Sequence, residues 1–315
     1  MTDPGALTLD QYLFDRDARR AEAEAPPSPA TPVDIVAADG TRLVGARYAA
    51  RGDRGGPVTV IAGATGVRQR YYARFAAWLA GQGVDVVTFD YRGIGDSLEG
   101  DVSASRARMR DWGALDLAAA LDWTRDALGA RAVGVVGHSA GGQLVGLLPD
   151  VRRVAALVTV GSQSGDYRLW PAPSRWRMAL LWYGLVPGVT RAAGFLPGRL
   201  GVGESLPAGV ALEWARWCRT RGYFDGDPSV DVRARLGEVR APLLGYSFDD
   251  DPYAPPAAVD ALLSLYANAD VTRRKVGASA RLGHFGFFRP RARERYWTEA
   301  RDFLRRGLAA SAGRA

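Results

Sequence analysis

The chain has 315 residues, which is longer than a single small domain. Hydrophobic residues make up 47% of it, enough for a substantial core. The formal net charge is +7, but Lys275 is the only lysine and the arginines are scattered. This distribution argues against the organised basic and aromatic patch of a nucleic-acid-binding protein, so we expect no nucleic-acid partner. Cys218, the single cysteine, excludes an intrachain disulfide, and two histidines offer few metal ligands, so we expect no metal and no cofactor.

The N-terminus lacks the basic start and apolar run of a signal peptide. The longest apolar stretch, residues 178–189, is too short for a membrane span and contains Pro187. We therefore expect no stable membrane insertion, a cytoplasmic location and a small-molecule substrate as the partner. The sequence leaves the oligomeric state open.

Along the chain, predicted strands alternate with predicted helices. Residues 1–32 are polar and proline-rich near their end, which is typical of an N-terminal arm. Two strands, 33–36 and 42–48, flank a turn at Asp39-Gly40. Further strands are predicted at 58–61, 84–89, 133–136, 154–160, 241–247 and 271–276, and helices at 71–79, 109–128, 143–148, 257–265 and 290–308. This alternation predicts an α/β fold with a mostly parallel central sheet and helices on both faces.

Residues 163–238 interrupt the alternation and carry five tryptophans with several prolines and glycines. We interpret them as a helical cap, here called the cap segment, inserted over the carboxyl edge of the sheet between core residues 33–162 and 239–315. Most of these tryptophans are expected to pack the cap's own core. Trp170, Trp182 and Tyr183 are the candidates for lining an apolar substrate pocket.

The stretch AVGVVGHSAGG places Ser139 between two glycines, after a valine-rich predicted strand and before a predicted helix. The pattern Gly137-x-Ser139-x-Gly141 is short and proves little alone, and a glycine-rich loop is the alternative. Strand, sharp turn and helix are the context of a nucleophile elbow, in which glycines give the room that the turn requires. We therefore interpret Ser139 as a catalytic nucleophile.

A serine nucleophile needs a general base, and imidazole is the usual one. His138 is a poor candidate because neighbouring side chains on an elbow point apart, which leaves His284. The base needs a carboxylate to orient it, and three aspartates follow a predicted strand in the chain order Ser, Asp, His. We favour Asp251, with Asp250 as the alternative.

The tetrahedral intermediate of acyl transfer carries a negative oxygen that preorganised N–H groups stabilise. The residue after the nucleophile, Ala140, is predicted to supply one backbone donor. A second is expected from Ala64, in the glycine-rich turn after the strand at 58–61. An ordinary strand-to-helix turn is the alternative interpretation of these glycines.

Together these features resemble the serine hydrolases of the α/β-hydrolase superfamily. More narrowly, the chain resembles bacterial predicted α/β hydrolases close to the serine aminopeptidase and monoacylglycerol-lipase-like group. The stretches that carry the narrower likeness are AGATGVRQRYYARFAAWLA, FDYRGIGDS, GHSAGGQL, LPAGVALEWARWCR, SFDDDPYAPP and GHFGFF, within roughly residues 33–308. The spacing from Asp251 to Pro255 resembles the superfamily's acid loop. The resemblance implies structural roles for Asp90 and Arg92, and Ala62 stands where many relatives have histidine.

The resemblance and the residues predict a cofactor-free hydrolase that forms an acyl-Ser139 intermediate. An ester of a small apolar acyl or aromatic group is the expected substrate, with thioesters and amides as alternatives. An acyltransferase using the same acyl-enzyme is a second hypothesis. A non-catalytic binding protein on a hydrolase fold is a third, since a fold does not determine a function.

Overall fold

The computed structural model describes residues 30–50, 56–200, 203–224 and 231–313. Eight of its strands form one sheet in the order β1-β2-β4-β3-β5-β6-β9-β10, and β7 and β8 form a separate antiparallel pair. The strands are β1 (Thr31–Val36), β2 (Arg42–Tyr48), β3 (Val58–Ala62), β4 (Asp85–Phe89), β5 (Val133–His138), β6 (Val154–Val160), β7 (Phe195–Leu196), β8 (Leu206–Pro207), β9 (Leu243–Phe248) and β10 (Val271–Val276).

The sheet is parallel from β4 to β10, and β1 and β2 extend it as an antiparallel hairpin. Strands β3 and β5 lie side by side at its centre, with Ala62 opposite Gly137. Because parallel strands end at the same edge, the turns that follow β3 and β5 come close together there.

Helices cover both faces of the sheet, and no helix within the described ranges is long and apolar enough to cross a membrane. In β5, Val133 and Val135 join the core on one face and Val136 joins the core on the other, as a fully buried strand requires. The helices are α1 (Ala73–Gly81), α2 (Ala118–Leu128), α3 (Ala140–Gln143), α4 (Ser174–Leu180), α5 (Val186–Ala193), α6 (Ala208–Arg219), α7 (Val232–Glu238), α8 (Pro256–Leu263) and α9 (Thr298–Ala312).

The structure confirms the predicted α/β architecture, a mostly parallel central sheet with helices on both faces. The strands predicted at 154–160 and 271–276 have the same bounds in the structure. Most of the predicted N-terminal arm, residues 1–29, lies outside the described residues. The last two residues assigned to it, Thr31 and Pro32, belong to β1.

The helix predicted at 109–128 is not uniform. An α turn at Met109–Asp111 leads into a π turn at Trp112–Leu117 and then into α2. Inside the π turn, a Cβ on Gly113 would lie 2.6 Å from the main-chain oxygen of Leu144. The absence of a side chain therefore lets this helix pack against the segment that follows Ser139.

The cap segment contains α4, α5, α6 and α7, and polar contacts join it to the sheet domain. Glu204 pairs with Arg68 at 2.8 Å, and Glu213 pairs with Arg110 at 2.6 Å. α7 packs against the segment that follows Ser139, because a Cβ on Gly146 would lie 2.6 Å from Val232. The limits of the cap as a domain stay a prediction.

A buried ion pair holds the chain that follows β4. The main-chain N–H and the Nε of Arg92 donate to the Asp116 carboxylate at 2.9 and 2.7 Å, and Arg92 also pairs with Asp39 at 2.6 Å. The Asp116 side chain has no exposed surface. Losing one partner of such a pair leaves a buried charge without full compensation.

We expect Asp116→Ala to lower the free energy of unfolding by about 3 kcal/mol, because Arg92 would keep its charge in a dry site. The matched control is Asp122→Ala, in α2, whose carboxylate is 46% exposed and pairs with Arg153. That surface pair should contribute less than about 1 kcal/mol. Denaturant unfolding of both variants measures the difference, and equal losses would contradict the buried-pair account.

Candidate active site

Ser139 occupies a strained turn between β5 and α3. Its backbone has φ 52° and ψ −115°, a conformation that costs a residue with a Cβ about 1–3 kcal/mol. The flanking glycines leave no room for side chains: a Cβ on Gly141 would lie 1.9 Å from the carbonyl oxygen of Ala62. The Ser139 N–H donates to the carbonyl of Val160 at 2.9 Å. The turn is therefore fixed by packing on both neighbouring strands.

Asp251 and His284 form a buried hydrogen-bonded pair. His284 Nδ1 lies 2.7 Å from Asp251 Oδ2, and the two residues are 6% and 5% exposed. Because a carboxylate oxygen accepts, Nδ1 donates in this bond, and Nε2 is the ring nitrogen left available as a base. The other carboxylate oxygen accepts from the N–H groups of Tyr253 and Ala254 at 2.8 and 3.0 Å, which fixes its orientation.

Asp250, the alternative acid, has a different partner. Its Oδ2 accepts from the N–H of Gly283 at 3.0 Å, so it bonds the main chain just before His284. The structure thus pairs the imidazole with Asp251, and Asp250 holds the loop that carries it.

The Asp251–His284 pair lies directly beside the Ser139 turn. The His284 ring centroid is 4.9 Å from that of His138, the residue before Ser139. Gly161, at the end of β6 with φ 56°, packs against the pair, because a Cβ there would lie 3.1 Å from both Asp251 Oδ2 and His284 Nδ1. The ends of β5 and β6 and the loops after β9 and β10 therefore meet at this site.

A buried hydrogen-bond chain runs behind the site. His138 Nε2 lies 3.0 Å from the main-chain oxygen of His284, and His138 Nδ1 lies 2.9 Å from the hydroxyl of Tyr72. A carbonyl only accepts, so Nε2 carries the proton. Burial, reinforced by the neighbouring His284, lowers the pKa of His138 well below its usual range, so Nδ1 is an acceptor. Tyr72 then donates to it and itself accepts from the N–H of Ala64 at 2.8 Å.

The buried hydrogen-bond chain changes the expectation for Ala64. Its N–H, predicted as an oxyanion donor, is bonded to Tyr72, whose hydroxyl burial keeps protonated by raising its pKa well above the usual range. Ala140, the other predicted donor, begins α3 directly after Ser139, where the first N–H of a helix has no partner within the helix. Sequence reasoning missed Tyr72, since nothing in the helical pattern around it signals a buried hydroxyl bond.

The predicted pocket residues lie in different surroundings. Trp170 is buried, and its indole N–H donates to the carbonyl of Pro252 at 3.0 Å, next to Asp251. Trp182 is buried and packs edge-on to Trp214. Tyr183 is 55% exposed. The structure therefore brings Trp170 to the acid loop and places Tyr183 on the outer surface of the cap segment.

In the part of the chain that the structure describes, no three His, Cys, Asp or Glu side chains gather as metal ligands. The cysteine, Cys218, is buried, and burial raises its pKa well above the usual range, so the thiol stays protonated.

Known protein families and solved structures that resemble this chain have the same type of fold. A family model described as the α/β hydrolase fold matches residues 56–205. No curated protein matches this chain.

Solved structures share the fold at low sequence identity. A 2,6-dihydroxy-pseudo-oxynicotine hydrolase has a TM-score of 0.60 and 19% identity, over 96% of this chain and 77% of that one. Brefeldin A esterase, a bacterial homologue of human hormone-sensitive lipase, has a TM-score of 0.60 and 17% identity, over 98% and 89%. An esterase of Pyrococcus furiosus has a TM-score of 0.59 and 14% identity, over 96% of both chains.

We expect Tyr72→Phe to lower the free energy of unfolding by about 1–3 kcal/mol, because it leaves Ala64 N–H and His138 Nδ1 buried without partners. Tyr91→Phe is the matched control: the Tyr91 hydroxyl is also buried, and among the described residues it has no hydrogen-bond partner. Removing it should change stability by less than about 0.5 kcal/mol or increase it. Thermal unfolding of both variants measures the two losses. A larger loss in Tyr91→Phe than in Tyr72→Phe would contradict the hydrogen-bond chain through Tyr72.

Proposed function

We propose that the chain is a serine hydrolase of the α/β-hydrolase superfamily that cleaves an ester through an acyl-Ser139 intermediate. The family model over residues 56–205 and the shared fold of the similar structures support this assignment. The observation that carries the proposal is the 2.7 Å hydrogen bond between Asp251 and His284, buried beside the strained Ser139 turn. Nucleophile, base and orienting acid, brought together in this way, are the parts that acyl transfer needs.

In the first half-reaction, His284 Nε2 removes the proton of the Ser139 hydroxyl as the oxygen attacks the ester carbonyl carbon. The tetrahedral intermediate collapses, the bond to the alcohol oxygen breaks, and His284 gives its proton to that oxygen. In the second half-reaction His284 deprotonates water, which attacks the acyl carbon. Ser139 leaves with the proton, and the carboxylic acid is released. Asp251 holds the imidazole in the required tautomer throughout.

The negative oxygen of each intermediate needs N–H donors. The Ala140 N–H, at the start of α3 and next to the nucleophile, is the first donor in this proposal. Ala64 serves as the second only by exchanging its Tyr72 partner for the oxyanion. Substrate binding would thus open one bond of the buried chain.

The expected substrate carries a small apolar acyl or aromatic group. The buried aromatic side chains of the cap segment support this choice, because they would give the substrate an apolar environment. Trp170 is hydrogen-bonded to the loop that carries Asp251. The names of the similar structures, two of which are esterases, agree with an ester as the bond cleaved.

We expect Ser139→Ala to abolish hydrolysis of p-nitrophenyl acyl esters of graded length, with a loss of at least about 10⁴-fold in kcat, because the nucleophile is gone. Ser164→Ala, a buried serine of the loop after β6, is the control and should keep its activity. Full activity of Ser139→Ala would end the proposal, and no turnover by the native protein on any ester would remove esters as the substrate class.

Asp251→Asn should lower kcat about 10³- to 10⁴-fold, because an amide leaves His284 in the wrong tautomer. Asp250→Asn keeps an oxygen that accepts from Gly283 N–H, so we expect a loss smaller than about tenfold. Steady-state kinetics on the best ester compares the two. If Asp250→Asn has the larger effect, the acid is Asp250.

A further inference from the structure

The described residues include four large hydrophobic side chains that are strongly exposed, and three of them lie on one helix. Trp176 is 69% exposed, Leu180 71% and Tyr183 55%. α4 and the π turn that continues it at Leu181–Leu185 place them at positions i, i+4 and i+7, which share one helix face. Met178 and Trp182, on the other side of this helix, are buried against the cap segment. The helix is therefore amphipathic with a second, uncovered apolar stripe.

The stretch of chain that carries this stripe has charges of one sign. Residues 167–203 contain five arginines and no aspartate or glutamate. The acids that flank this stretch are already paired: Asp166 with Arg168 at 2.9 Å, and Glu204 with Arg68 at 2.8 Å. Four arginines on the stretch are exposed, namely Arg175, Arg177, Arg191 and Arg199. Aromatic and aliphatic side chains that project between arginines are typical of a helix that lies in the interface of an anionic membrane.

We propose that the face formed by Trp176, Leu180 and Tyr183 docks the protein on an anionic lipid surface. The three side chains enter the headgroup region, and the surrounding arginines face the lipid phosphates. A second copy of the chain is a poorer occupant, because it would bring two sets of arginines together. The contact is peripheral, because it is made by side chains on the surface of a folded helix. This inference goes beyond the proposed hydrolase activity and does not depend on it.

The test is co-sedimentation of the full chain with vesicles of phosphatidylcholine, or of equal parts phosphatidylcholine and phosphatidylglycerol, without substrate. The native protein should bind the anionic vesicles and bind the neutral ones weakly. The double variant Trp176→Ser/Leu180→Ser should bind the anionic vesicles about tenfold or more weakly, because it removes two large apolar side chains.

Val36→Ser is the matched control. Val36 is the fourth strongly exposed hydrophobic residue, 65% exposed on β1 and outside the cap segment, so its replacement should leave binding unchanged. Arg191→Glu should weaken binding to anionic vesicles by at least about tenfold, since it replaces a cation that the lipid phosphates attract with an anion that they repel. Unchanged thermal unfolding of each variant shows that its fold is intact.

Binding of the native protein to neither vesicle type would overturn the proposal. So would an equal loss of binding in Val36→Ser and in the double variant. A dimer of the native protein in light scattering that the double variant loses, without vesicle binding, would assign the face to a second copy instead.

Discussion

The active-site geometry depends on one buried hydrogen-bond chain, from the Ala64 N–H through the Tyr72 hydroxyl and the His138 ring to the main-chain oxygen of His284. It joins the turn after β3, the end of β5 and the loop after β10. Each member has one possible direction of donation, because the chain begins at an N–H and ends at a carbonyl. The three loops that must meet around Ser139 are therefore fixed to one another by atoms that need not react.

The hydrogen-bond chain, with the packing around it, explains why the Ser139 turn can stay strained. A residue at φ 52° persists only where its surroundings hold it, and the Ser139 turn is held by β6 through Val160, by Ala62 packed on Gly141 and by His138 behind it. The same packing brings Gly161 against the Asp251–His284 pair. Strain at Ser139 and order at His284 thus come from one set of close contacts at the carboxyl edge of the sheet.

The two sides of the cap segment differ in their surroundings. Its inner side reaches the site through polar contacts: Trp170 donates to the carbonyl of Pro252, and the Tyr223 hydroxyl donates to Gln143, four residues after Ser139. Its outer side carries the exposed side chains of Trp176, Leu180 and Tyr183.

Much of the fold was predictable because it rests on local patterns. Valine runs marked the strands, and the glycines around Ser139 marked a turn that only small residues fit. The order of Ser139, Asp251 and His284 followed from the strand endings that carry them. The partner of Ala64 was not predictable, because the bond to Tyr72 depends on how α1 packs over the sheet. The π turn at Gly113 was missed for the same reason: its cause is the contact with Leu144, which is distant in sequence.

Labelling by a fluorophosphonate probe tests, without knowledge of the substrate, whether Ser139 is an activated nucleophile. The probe reacts with serines whose proton a neighbouring base removes. We expect one covalent adduct on the native protein, mapped by peptide mass spectrometry to Ser139, and its disappearance after His284→Ala. An adduct on another serine, or undiminished labelling of Ser139 without His284, would contradict it.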